Sequence, residues 1–171
     1  QGIVLPAPTK PGAADELSTI STRLASTYGK GRGTLDGKEI NGSDIEAEMG
    51  NLAHTPAEFA EMWTSWHNNV GAPMKNDYVK MVGIANQGAK ELGYADVGAM
   101  WRSGYDMSPE QFSAETQRLW EEVKPLYLAL HTYVRHKLNE KYGDAVQPKT
   151  GPIRADLLGN MWSQEWGIIY P

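Results

Sequence analysis

Apolar residues in this chain return every three or four positions, a spacing that gathers them on one face of an α-helix and that no strand reproduces. Leu17, Ile20, Leu24 and Tyr28 form the first such stripe, with Gly29 as its stop. Phe59, Met62, Trp63, Trp66 and Val70 form a second, and Tyr78, Met81, Val82, Ala85, Ala89 and Leu92 a third that Gly93 ends. Leu126, Leu130, Val134 and Leu138 hold a strict fourth-residue spacing up to Tyr142-Gly143. A chain written this way has to bury helix against helix.

Punctuation between the stripes sets the expected boundaries. Residues 1–13 carry three prolines and read as an extended lead-in; residues 14–171 read as one helical scaffold. Ser43 with Glu46 makes a capping-box signature ahead of Ile45, Met49 and Leu52. Thr55-Pro56 joins an N-cap to a proline at the first helical position. Pro73 opens the next helix, a short one covers 96–103, and Ser108-Pro109-Glu110-Gln111 starts another, lined by Phe112, Leu119, Trp120 and Val123. Pro125 should kink or restart it, because it supplies no amide donor. Residues 156–169 are apolar on more than one side (Leu157, Leu158, Met161, Trp162, Trp166, Ile168, Ile169), which predicts a buried helix. Only the glycine-rich residues 29–42 are turn-like, and Asp36-Gly37 suits a tight hairpin. The expected class is therefore all-α, with at most one short hairpin near 34–41. Trp63, Trp66, Trp120, Trp162 and Trp166 should be mostly buried and Lys30, Lys38 and Glu140 exposed, unless 157–169 has lost a natural cover.

Composition narrows the partners. The chain has 171 residues, 40% apolar, six of them Trp, which suits a packed interior. Its formal charge of −5 comes without a basic block, so it offers no cationic face to a nucleic-acid backbone. No run approaches the roughly 18–20 apolar residues that span a bilayer. With no Cys, disulfides and thiolate metal sites are excluded. The start at Gln1 shows no secretory signal and fits a mature secreted product, a trimmed chain or an internal piece of a longer one.

Chemistry-bearing patterns are sparse. The four imidazoles are His54, His67, His131 and His136. The last two are five apart, roughly 140° around a helix, whereas zinc on a helix wants the i, i+4 spacing of H-E-x-x-H, which is absent. There is no G-x-S-x-G, and Glu121-Glu122 point to different sides of their helix. No catalytic residue and no metal ligand is assigned. Arg102, after Trp101, needs an anion if buried: Asp96 or Asp106 as an ion-pair partner, or a bound halide.

A family becomes visible in the last third. KYGDAVQPKTGPIRADLLGNMWSQEW (141–166) resembles the Y-G-D turn and G-P-I-P-x-H-L-L-G-N-M-W-A-Q-x-W string of the angiotensin-converting-enzyme family of zinc peptidyl-dipeptidases. PLYLALHTYVRHKL (125–138), AMWRSGYD (99–106) and EFAEMWTSWHNNVGAPM (58–74) are similar to further family segments in the same order. The resemblance runs from about residue 15 to the end. It departs where Arg154 and Asp156 stand in place of the usual Pro and His, and in lacking the Cys pair of animal members near 34–40, which points to a bacterial homologue.

What the resemblance implies is a segment of an elongated, largely helical zincin-type enzyme that removes dipeptides from peptide C-termini. The family's zinc activates water and polarises the scissile carbonyl, with the H-E-x-x-H Glu as general base. That motif is expected beyond Pro171, and a helical lid before Gln1, so this chain supplies scaffold and channel wall and is inactive alone. By the same resemblance, Arg102 matches an Arg that binds one chloride and Tyr142 a Tyr beside another. Peptides are the implied partners, and the periplasm or the extracellular space the implied location. The competing expectation is a catalytically inactive helical module on the same scaffold.

Overall fold

The computed structural model of the chain describes residues 4–169. In order these form α1 (Ala13–Gly29), β1 (Arg32–Leu35), β2 (Lys38–Asn41), α2 (Gly42–Met49), α3 (Pro56–Trp66), a π-helical turn (His67–Gly71), α4 (Ala72–Glu91), α5 (Val97–Arg102) and α6 (Pro109–Tyr142). Two single 3-10 turns, Ala155–Leu157 and Trp166–Ile168, follow. The all-α class with one short hairpin holds. The residues group into two compact units, 1–28 with 74–122 and 29–73 with 123–171.

In the first unit, Ala13, Leu17, Ile20 and Leu24 of α1 are buried, as are Ala85, Gly88 and Ala89 of α4. Gly88 has a specific reason to be glycine: a Cβ there would lie 2.3 Å from the Pro6 carbonyl oxygen, so the lead-in backbone rests directly on α4. Thr9 N–H donates to Glu91 Oε2 at 2.6 Å, the Trp101 indole N–H donates to the Val4 carbonyl at 2.8 Å, and Arg23 forks onto the Asp77 carboxylate. Asp96 caps α5 by accepting from Ala99 N–H at 2.7 Å. The Ser108–Gln111 pair at the start of α6 is reciprocal, at 3.2 and 2.9 Å.

The second unit is built around α3. Phe59, Met62, Trp66 and Val70 are buried together with Ile45, Met49, Val134 and Leu138. The hairpin closes through Asp36 and Gly37, both at positive φ, the two left-handed positions a type I′ turn requires. Glu61 of α3 receives both turn amides, at 3.1 and 3.0 Å, and those bonds hold its carboxyl below the usual range. Thr55 and Glu58 form the capping box at the start of α3.

Several expectations are corrected. Asn41, not Ser43, caps α2, because β2 ends at Asn41 in extended geometry and its side chain already accepts from Asp44 N–H at 2.9 Å. Gly42 then follows where a Cβ would press on the Trp66 ring at 2.8 Å. Pro73 stands in the first turn of α4, as expected, but no break precedes it: the π-helical turn widens the coil just before the proline and the chain stays helical from 56 to 91. Pro125 does not restart α6 as a second helix. One lost donor is outweighed by the turns on either side, which carry pairs such as Gln117–Glu121 at 2.8 Å before the proline and Lys137–Glu140 at 3.0 Å after it.

The largest correction concerns 156–169, which is not a helix. Gly159 and Ser163 take positive φ there, at 82° and 59°, and a helix interior accommodates neither. Of the Trp residues expected inside, Trp66 is buried, Trp63 and Trp166 are half-buried, and Trp120 and Trp162 are exposed. Leu119, Val123, Leu126 and Leu130 are also exposed, as are Tyr28, Tyr78 and Leu92, so these stripes carry more apolar area than the described residues cover. Lys30, Lys38 and Glu140 are exposed as expected.

Candidate functional site

Three places concentrate polar groups with geometry. The first surrounds Arg102, the last residue of α5. Its half-buried side chain folds back along its own helix, where a Cβ on Gly98 would sit 3.3 Å from Nη1. With Glu110, Phe112, Ser113, Thr116 and Gln117 it lines an open cavity of about 850 Å³ at the start of α6. Among the described residues Arg102 makes no ion pair with Asp96 or Asp106; Asp96 is occupied as the α5 cap. The Glu110 carboxyl is held below its usual range, chiefly by its own backbone amide, then by the Ser108 hydroxyl and, more weakly, by the Arg102 charge.

Tyr142, in the second unit, is the last residue of α6. It is half-buried, and the Lys141 ammonium lies 5.1 Å from its ring centre. Gly143, at φ 79°, ends the helix, its N–H donating to the Asn139 carbonyl at 2.8 Å. The buried Asn139 amide then donates to Asp144 Oδ1 at 2.6 Å and to the Gln147 carbonyl at 2.7 Å. Gln147, fully buried, spends its own amide on the Pro148 and Pro152 carbonyls and on Arg154 N–H. Both buried amide side chains of this turn are therefore matched, as burial requires.

The third place is the segment from Arg154 to Trp166. Arg154 forks onto the buried Asp156, with Nε to Oδ1 at 3.0 Å, and its Nη2 also donates to the Pro56 carbonyl at 3.1 Å. This one guanidinium ties the segment to the start of α3. Asn160 Oδ1 accepts from Trp162 and Gln164 N–H at 3.0 and 3.2 Å, Ser163 Oγ donates to the Ala155 carbonyl, and the Trp166 indole donates to the Ser163 carbonyl. Leu157, Leu158, Asn160 and Met161 are buried beneath this lattice. Periodicity could not reveal it; the readable signals were Gly159-Asn160, a pair that favours turns, and an Arg two residues before an Asp.

The four histidines go to separate tasks. His54 sits between Glu48 and Glu58, His67 Nδ1–H donates to the Trp63 carbonyl and its ring stacks on that indole at 3.9 Å, His131 packs against Tyr127 and Trp166, and His136 faces Glu140 at 3.1 Å. Among the described residues no group of three or more His, Asp or Glu side chains is arranged to hold a metal ion. The residues present do not fit a catalytic zinc.

Known proteins are similar to this chain in sequence. A family model described as "Angiotensin-converting enzyme" matches residues 4–171. The angiotensin-converting enzyme of Oryctolagus cuniculus is 35% identical over 158 residues, which is 91% of this chain and 12% of that protein. That of Theromyzon tessulatum is 42% identical over 127 residues, 74% of this chain and 20% of that protein. That of Haematobia irritans exigua is 32% identical over 159 residues, 90% of this chain and 26% of that protein. The chain belongs to the angiotensin-converting enzyme family, and it spans about an eighth of the length of the first mammalian relatives it matches.

Proposed function

We infer that the complete polypeptide carrying this chain is a zinc-dependent peptidyl-dipeptidase, releasing dipeptides from the C-termini of peptides, and that residues 14–171 are scaffold and part of its channel wall. The observation that carries the reading is the family match over residues 4–171, whose most distinctive string, the G-N-M-W turn, is built here as a hydrogen-bonded turn with Asn160 and Met161 buried and Trp162 exposed. A turn of that kind holds shape without doing chemistry. The zinc ligands lie outside the described residues, so catalysis is not assigned to any residue of this chain. Arg102, with a cavity beside it and no carboxylate ion-paired to it among the described residues, suits an anion such as chloride; Tyr142 is the candidate residue beside a separate, second anion. The lack of the Cys pair that animal members carry supports a bacterial homologue, and the family resemblance supports a place in the periplasm or outside the cell. No helix among the described residues is long and apolar enough to cross a membrane.

Product analysis tests the reading. A peptide with a free C-terminus, incubated with the complete polypeptide, should shorten in two-residue steps by mass spectrometry. A C-terminally amidated copy should resist. Release of single residues, or internal cuts without dipeptides, overturns it.

A further inference from the structure

The link between α2 and α3, residues 50–55, is held by a side chain that the peptidase reading leaves unused. His54 is largely buried, with 16% of its side chain exposed, and its ring meets the core residue Phe59 edge-on. Nε2 lies 2.7 Å from Glu48 Oε2 at the end of α2, and Nδ1 lies 3.3 Å from Glu58 Oε1 in the first turn of α3. A neutral imidazole has one N–H and one lone pair, so it can donate to only one of these two carboxylates; an imidazolium donates to both. We propose that His54 is a pH-sensitive latch: protonated, it ties the 50–55 link to both helices, and on losing its proton it releases one of them.

The surroundings favour the charged state. Glu58 is held at about 2, first by the Thr55 backbone amide and then by the Thr55 and His54 side chains, and Glu48 is lowered chiefly by His54. Both acceptors are therefore ionised wherever His54 titrates. The His54 pKa is raised in turn, first by the Glu48 bond, with partial burial opposing. The other charges on the packed elements are engaged elsewhere. Lys141 of α6 donates to the Leu52 carbonyl at 3.1 Å, and Arg154 is spent on Asp156 and the Pro56 carbonyl. The released contact is the one to Glu58, at 3.3 Å the longer of the two, while Nε2 keeps Glu48 at 2.7 Å and Glu58 retains its bond from Thr55 N–H at 2.6 Å. Because the folded pKa lies above the unfolded one, the latch is complete below about pH 6.5 and weakens as pH rises through the raised value.

Hydrogen–deuterium exchange on the complete polypeptide, resolved to the Ala53 and His54 amides and corrected for intrinsic rates, reads the latch directly. These amides bond within the link, to Asn51 Oδ1 and the Asn51 carbonyl. Their protection should fall about tenfold between about pH 6 and about pH 9.5, the change expected from losing one partly exposed charge-assisted bond. In His54→Gln, which keeps a donor but cannot titrate, the profile should be flat, while amides in α6 show no difference from wild type. Glu48→Gln should flatten it as well and serves if the first variant does not fold. A flat wild-type profile overturns the proposal by itself, as does an unchanged pH dependence in either variant.

Discussion

Gly159→Ala is the sharpest test of how the G-N-M-W turn is held. Gly159 has φ 82°, which costs an alanine about 1–2 kcal/mol. Its Cβ would fall 2.2 Å from the Glu165 carbonyl oxygen and 3.0 Å from the carbonyl carbon, so backbone must move and not just a side chain. The adjacent bond from Glu165 N–H to the Leu158 carbonyl, 3.1 Å long, is the one that gives way, and its loss costs about 1 kcal/mol more. Packing disturbed around buried Leu158 and Met161 adds a comparable amount, so the total is about 3–5 kcal/mol. Gly167→Ala is the control, since nothing lies within 4 Å of its added Cβ. Urea denaturation of the complete polypeptide, followed by tryptophan fluorescence, gives both values. A Gly159→Ala cost below about 1 kcal/mol, or one equal to the control, would refute the close-approach argument.

Further expectations concern single side chains. Arg102→Ala in the complete polypeptide should blunt the activation of dipeptide release by chloride, read as a titration midpoint; an unchanged midpoint and amplitude remove Arg102 from any anion site. Glu58→Gln should destabilise at neutral pH by removing the capping-box carboxylate and a His54 partner. Because the folded Glu58 pKa of about 2 lies below its unfolded value, the difference from wild type should be full above about pH 4.5 and shrink as pH falls towards 2. A difference that grows on acidification contradicts that sign.

Much of the fold was legible because helices repeat their apolar residues with period 3.6. The α1 and α3 stripes, the Thr55-Pro56 start and the Asp36-Gly37 turn all stand where local rules put them. What was not legible depended on neighbours distant in sequence. A capping signature at Ser43 lost to Asn41 because a strand ended there, which only the hairpin register reveals. The apolar run at 156–169 passed for a helix because burial was read as periodicity, whereas Asn160 side-chain bonds and two positive-φ residues make it a coiled turn. Trp120 and Trp162 showed that an apolar stripe states what a chain can bury, not what these residues cover. At the candidate site, Arg102 was singled out by its need for an anion and Tyr142 by resemblance, while the Arg154–Asp156 clasp and the His54 bridge pair residues that no short-range pattern links.

Zinc content, measured side by side on this purified chain and on the complete polypeptide, tests the central claim most directly. The account predicts about one zinc per complete polypeptide, with chelator-sensitive dipeptide release, and neither for the chain of 171 residues alone. Stoichiometric zinc in the chain alone, or dipeptides released by it and lost on chelation, would contradict its role as scaffold and channel wall.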